Sequence, residues 1–202
     1  MTTNHRLPVQ IRSRVLLDKW SSGYRQSSAK AFTLVQVQLC PQIVFIIKNI
    51  VMELKFKSLT DRKDIDLISY VKDYLVKNPI VDIYVGSDSQ VHSEFTDYGI
   101  VVVLHKGKSG GHVLYCALKR EKIKEKFTRL WQEVEYSLQV AEHLKANQIP
   151  VKYLDLDLNP DPRWGSNSVL RAAMGYVESM GYVPRCKPSG VAATYAADKI
   201  CK

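Results

Sequence analysis

The chain has 202 residues, 46% of them hydrophobic and 24% charged, a composition that suits one globular domain with a core to bury, plus an extra segment. Its formal charge of +9 invites a polyanion partner, but residues 1–51 hold seven Lys or Arg against Asp18 alone, while residues 52–202 hold 22 basic and 19 acidic residues. The surplus of +3 in the larger part is ordinary for a soluble enzyme, so charge does not identify a partner.

Residues 1–51 scatter Arg, Ser and Gln among apolar positions without a sustained period of 2 or 3.6, and so present no face to bury. They read as a disordered extension or an over-long start, with Met52 the functional beginning; a basic arm that grips nucleic acid is the rival reading. The most apolar run, residues 43–52, is interrupted by Lys48 and Asn49 and falls short of the roughly 20 residues a membrane helix needs. No basic region followed by an apolar stretch and a small-residue cleavage site opens the chain, so the expectation is a cytoplasmic protein without a membrane span. Cys40, Cys116, Cys186 and Cys201 form no CxxC pair and no zinc-like Cys/His spacing, and read as reduced, buried thiols.

From residue 53 onward periodicity sets in. Leu59-Thr60-Asp61 leads into a helix with apolar positions Ile65, Ile68, Val71 and Leu75. After Asn78-Pro79, residues 81–87 read as a strand running into Asp88-Ser89-Gln90. Residues 98–105 are nearly continuously apolar, as in a central strand covered on both faces. The Gly-rich residues 106–111 make a hairpin, and residues 112–118 return as a third strand. A long helix over about 121–145, a fourth strand over 150–158, a helix from Ser166 or Asn167 to about Met180, a short strand over 182–187 and a last helix after Pro188 complete the order βββαβαβα. The expected fold is α/β, a mixed five-stranded sheet with helices on both faces.

The acids carry the chemistry. Asp88 falls at or just past the end of the first of these strands, where a side chain can face a cleft. Asp155 and Asp157 alternate with Leu154, Leu156 and Leu158, which puts both acids on one face of the fourth strand. At about 100° per residue, Glu133 and Glu135 flank the apolar stripe of the long helix. Val140 and Leu144 extend that stripe on the Glu133 side and favour Glu133 as the inward acid. Asp198 follows Ala192, Ala193, Ala196 and Ala197, small residues that allow close approach of the last helix; a surface pairing with Lys199 or Lys202 is the plainer account. Taken singly, each acid could be structural. An acid on the first strand, one on the long helix, one on the fourth strand and one on a late helix together form the layout of a ribonuclease H-like nuclease, in which carboxylates hold two divalent ions against a phosphodiester.

The residues also resemble a known family. Val85-Gly86-Ser87-Asp88-Ser89-Gln90-Val91-His92, Gly107-Lys108-Ser109-Gly110-Gly111, the Glu133 helix, Asp155-Leu156-Asp157-Leu158-Asn159, Gly175-Tyr176-Val177 and Lys187-Pro188 with Ala192-Ala193 resemble the bacterial YkuK family, classed as ribonuclease H-like. The similarity spans roughly residues 52–202, and its most specific part is Gly-Ser-Asp-Ser-Gln. It implies Asp88, Glu133 and Asp157 as metal-binding acids, with Asp198 a weaker match.

Around the acids, Ser89, Gln90 and His92 could contact phosphate or merely satisfy a turn. Arg163 and Trp164, in the loop 159–167, could clamp a phosphate and stack a base or pack down against the protein. Lys119, Arg120, Lys122, Lys124, Lys126 and Arg129 could line a backbone track or form a solvated face. Lys187 could bring a cation to the scissile phosphate. The expected activity is a two-metal nuclease using Mg²⁺ or Mn²⁺ on DNA, RNA, a hybrid or a junction. A catalytically weak nucleic-acid-binding module on the same scaffold is the alternative. A nucleotide phosphotransferase is disfavoured because the chain has no GxxxxGK[ST] loop.

Overall fold

A computed structural model of the chain describes residues 54–189 and 192–201; the expectations placed on residues 1–51, Cys40 among them, lie outside these. Two short strands, β1 (Phe56–Ser58) and β2 (Asp64–Ile65), precede helix α1 (Leu67–Lys77). Strands β3 (Asp82–Val91), β4 (Phe95–His105) and β5 (Gly111–Glu121) follow, then α2 (Lys126–Ala146), β6 (Tyr153–Leu156), α3 (Asn167–Ser179), β7 (Val183–Arg185) and α4 (Ala192–Cys201). The expected order βββαβαβα describes the elements from β3 onward.

The sheet has seven strands in the order β2-β1-β5-β4-β3-β6-β7, not five. The missed pair, β1 and β2, is three and two residues long, too short to display a period. Residues 59–61, expected to lead into the helix, form the turn between them, and Ile65 belongs to β2. The helix starts one turn later because Asp66 caps it, accepting from Ser69 N–H at 2.8 Å. The long helix likewise starts later than expected. β5 pairs with β4 as far as Glu121↔Phe95, and Glu125 caps α2 by accepting from Phe127 N–H (2.8 Å) and Thr128 N–H.

Strand alternation divides the sheet into two faces. Ile83, Val85, Ile100, Val102, Leu104, Leu114, Leu154 and Leu156 pack under Val71 of α1, Val134 and Leu138 of α2 and Val169 of α3. On the opposite face Tyr84, Val101 and Val103 pack against Ala193 and Ala197 of α4. That helix comes very close to the sheet. A Cβ on Gly99 would lie 2.7 Å from Ala197 O, and one on Gly86 would lie 2.8 Å from Ala193 Cβ, so both glycines are contact surfaces for α4.

Candidate active site

The site begins where one strand outlasts its neighbour. β3 pairs in parallel with β6 only as far as Ser87↔Leu156, yet continues beside β4 to Val91↔Thr96. Asp88 was expected at the strand end; it lies within β3, and the end it occupies is that of the β6 pairing. Beyond that point the flank of β3 is open, and Asp157, the residue after β6, arrives there.

Alternation sends Ser87 and Ser89 toward α2 and Asp88 toward α4. Ser87 Oγ donates to Glu133 O at 2.6 Å, and Ser137 Oγ donates to the same carbonyl at 3.0 Å. These small polar side chains seat α2 on β3 and bring Glu133 to the sheet. The Glu133 carboxylate, 4% exposed, accepts from Ser89 Oγ at 2.5 Å and from Arg129 Nη1 at 3.2 Å. Arg129 also donates to Ser89 O at 3.1 Å and to Ser89 Oγ. Glu135 is half-buried and meets Tyr176 of α3 instead. Ser89, a candidate substrate contact from sequence, is buried within this Glu133–Arg129 network.

On the other side of β3, Asp88 Oδ1 accepts from Ser89 N–H at 2.8 Å, and its carbonyl accepts from Cys201 Sγ at 3.1 Å. Burial pushes the Asp88 carboxyl up to about 6; the charges of Asp157 and Asp198 add to the push, while Ser89 N–H and the Lys187 ammonium oppose it. Burial also holds Glu133 well above the usual carboxylate range, with Asp88 and Asp157 raising it further and Ser89 and Arg129 pulling it back. Asp88, Glu133 and Asp157 therefore repel one another pairwise, and Asp198, half-buried on α4, adds to the field at Asp88.

Each acid is nonetheless engaged internally. Lys187 Nζ lies 2.5 Å from Asp157 Oδ1, yet off the direction of a good hydrogen bond, since Oδ1 is buried without a hydrogen-bond partner. Burial alone would lower the Lys187 ammonium, but contact with Asp157 and the charge of Asp88 outweigh it and raise it. Among the described residues no three Asp, Glu, His or Cys side chains stand close enough together to hold one metal ion. The four carboxylates are hard oxygen donors of the kind Mg²⁺ and Mn²⁺ prefer, and Arg129 and Lys187 offset their repulsion only in part. As they stand in the structure, the described side chains form no site for such an ion.

The remaining sequence candidates spread outward. Gln90 is exposed on the β3 flank. His92 sits in the β3–β4 turn, stacked on Phe95 at 4.6 Å with Nε2 3.3 Å from Asp97, about 13 Å along the strand from Asp88 at ~3.3 Å per residue. Arg163 is committed to Asp161, with contacts of 2.5–3.1 Å, whereas Trp164 is 60% exposed. Of the basic group expected at the start of the long helix, Lys119 covers the Phe95 ring, Arg120 reaches Tyr136 and Lys122 donates to Ser93 O. Lys124 and Lys126 are exposed. Sequence reasoning placed Arg129 on that outer track and missed its role at Glu133, although the i,i+4 spacing of the two was a usable signal. Tyr98, 1% exposed and with an unpartnered hydroxyl, also lies within range of the Glu133 charge; nothing in its apolar setting, residues 98–105, marked it out.

Comparison with known families matches the chain to a family described as ribonuclease H-like, over residues 66–202. No curated protein matches the chain. Among the described residues no helix is long and apolar enough to cross a membrane.

Proposed function

The chain belongs to the ribonuclease H-like family, and from that premise we propose that its acidic cleft hydrolyses phosphodiester bonds of nucleic acid with the help of a divalent cation. The supporting observation is the mutual repulsion of Asp88, Glu133 and Asp157, contributed by β3, α2 and the chain just past β6. Like charges gathered at cost to stability, in a partly buried cleft, mark a site kept for a ligand of opposite charge. Asp88 and Asp157 would hold the cation, with Glu133 and Asp198 behind them. A bound Mg²⁺ or Mn²⁺ supplies Lewis-acid polarisation of a phosphate oxygen.

The chain's own groups do the rest. The Lys187 side chain, 42% exposed, can meet an incoming phosphate while anchored on Asp157. Arg129 fixes the Glu133 carboxylate against Ser89, so that its orientation is set before substrate arrives. Exposed Gln90, Lys124 and Lys126 offer contacts to a nucleic-acid backbone, and Trp164 offers a stacking surface.

A catalytically weak nucleic-acid-binding module is the second reading. It is favoured by the internal pairing of Glu133 with Arg129 and of Asp157 with Lys187. The full chain, incubated with labelled DNA, RNA, hybrid and junction substrates with Mn²⁺ and with chelator, separates the two. Cleavage that needs Mn²⁺ and is lost in Asp88→Asn and Asp157→Asn supports the nuclease. Binding without cleavage supports the module, and equal cleavage by all three proteins points to a contaminant.

A further inference from the structure

We propose that Trp164 and Phe127, brought together at Lys126, form a platform on which unpaired bases stack, so that the protein takes a single strand in preference to a duplex; this rests on the nucleic-acid reading above and names its substrate class. The two rings come from distant parts of the chain. Phe127 lies in the first turn of α2, and Trp164 in the loop 159–167 that follows β6 and Asp157. A Cβ on Gly165 would lie 2.5 Å from Lys126 Nζ and 3.2 Å from its Cε. The glycine therefore leaves room for the Lys126 side chain against the loop, with Trp164 and Phe127 as the chain neighbours of the two residues in contact.

Both rings are held out to solvent by ordered structure. Trp164 is 60% exposed and Phe127 45%. The loop is tied internally: Asp161 N–H donates to Asn159 Oδ1 at 3.0 Å, Arg163 N–H to Asp161 Oδ1 at 3.0 Å, Trp164 N–H to Asp161 O at 3.0 Å and Asn167 Nδ2 to Pro160 O at 2.8 Å. Phe127 heads a column of rings. It stacks on Trp131 at 6.0 Å and 4°, and Trp131 stacks on Tyr176 of α3 at 5.5 Å and 16°. Trp131 and Tyr176 are packed against the core, so Phe127 is the outermost member, and a base laid on it would continue the column. Rings fixed in advance lose little freedom when a ligand binds.

Charge selects the ligand. Lys124 and Lys126 are exposed beside the rings. The acids of the same two segments are used locally, Glu125 on the N–H groups of Phe127 and Thr128, and Asp161 on Arg163. Cations for phosphate together with flat apolar faces for bases are the two elements of single-strand recognition, whereas a duplex keeps its base faces stacked inside. Phe127 precedes Glu133 on α2 by about 9 Å of helix axis at ~1.5 Å per residue, and Asp157 leads into the Trp164 loop through Leu158. A strand held on the platform therefore has the acidic cleft as its neighbour.

Binding measured in chelator tests this apart from cleavage. The full chain is titrated, with fluorescence anisotropy as the readout, against a labelled single strand (as DNA and as RNA), its duplex, and a strand of equal length that lacks every base. Trp164→Ala, Trp164→Tyr and Phe127→Leu are run alongside, with circular dichroism reporting folding. The wild type should bind a single strand of at least one sugar type about tenfold or more tighter than the duplex and the baseless strand. That preference should shrink about tenfold in Trp164→Ala and in Phe127→Leu, and persist in Trp164→Tyr, which keeps a ring. A wild type that binds the duplex or the baseless strand as tightly as the single strand overturns the platform, and so does a folded Trp164→Ala with its preference unchanged. Mn²⁺-dependent cleavage by the same preparation would then leave the nuclease reading standing, whereas a wild type that neither binds any probe nor cleaves overturns both. Should Phe127→Leu fail to fold, the two variants of the exposed loop residue Trp164 decide.

Discussion

Two ion pairs lie two residues apart along the same stretch of chain, and they behave differently. Asp155 is wholly buried; its Oδ1 accepts from Arg185 Nε at 2.9 Å and Nη2 at 2.8 Å, and its Oδ2 accepts from Ala193 N–H at 3.0 Å. The guanidinium is itself covered by Tyr84 and Tyr153, each ring centroid 4.5 Å away. Asp157, by contrast, keeps 21% of its side chain exposed and meets a single ammonium without an aligned hydrogen bond. A planar, multi-donor guanidinium stacked on aromatic rings seals a carboxylate, whereas a point charge on a flexible stem leaves it exchangeable. The first pair holds α4 to the sheet, because Ala193 N–H is one of the first-turn donors that a helix cannot satisfy itself. The second is the more exposed of the two, and under the proposed function it is the one a ligand would meet.

The sharpest way to break this contrast is Asp155→Ala, which strands the Arg185 charge and removes the cap of α4 together. Loss of one partner from a buried pair costs about 3–5 kcal/mol, and urea unfolding of the variant should show a drop of that order. A midpoint shifted by less than about 1 kcal/mol would mean that the pair does not hold α4.

Next in size is Gly99→Ala. The added methyl meets Ala197 O and Cys201 Sγ, and overpacking of this kind costs about 1–3 kcal/mol. Because α4 carries Asp198, the variant should lose cleavage as well as stability; unfolding and single-turnover assays on one preparation would report both.

Much of this contrast was legible in the chain, but not all. The alternation of Asp155 and Asp157 with leucines gave the shared face, and the helical angle separated Glu133 from Glu135. What alternation cannot reveal is which acid is sealed, since Arg185 lies 30 residues downstream of Asp155 and only the parallel pairing of β6 with β7 brings them together. The roles of Gly86 and Gly99 depend on α4 in the same long-range way. The continuation of β3 through Asp88-Ser89-Gln90 was hidden because a strand with one open flank need not alternate apolar with polar residues. The charged end of β5 was missed, with Lys119 and Arg120 left between the expected strand and helix and Glu121 read as the helix start, because ladder pairing to β4, not side-chain pattern, keeps it extended.

The cleft side should respond to pH. Asp88 has its carboxyl raised from 3.8 to about 6, so the folded state holds this proton more tightly than the unfolded chain. The stability it contributes is present below about pH 4 and is lost as pH rises through 6. The groups facing it are Asp157, Asp198, Glu133 and Lys187. Asp88→Asn keeps the acceptor for Ser89 N–H without the charge. Without metal it should be more stable than the wild type at pH 7.5 by on the order of 2 kcal/mol, the two converging near pH 4, as thermal melts across that range would show. A gap that is constant with pH would contradict the origin assigned to it.

The smallest effect on stability, and the most informative, belongs to Asp157→Asn. A partly exposed pair such as Asp157–Lys187 contributes about 0–1 kcal/mol, so the unfolding midpoint should barely move, in contrast to Asp155→Ala two residues away. Cleavage should nevertheless fall at least ~100-fold, equivalent to about 2.7 kcal/mol of lost transition-state stabilisation. A stability effect as large as that of Asp155→Ala would make Asp157 a second structural acid and remove the distinction between the two pairs. A folded variant that cleaved as well as the wild type would leave Asp157 exchangeable but without a catalytic purpose. Only a near-silent midpoint combined with lost turnover makes the open pair the working one, since it separates what the carboxylate does for the fold from what it does for a ligand.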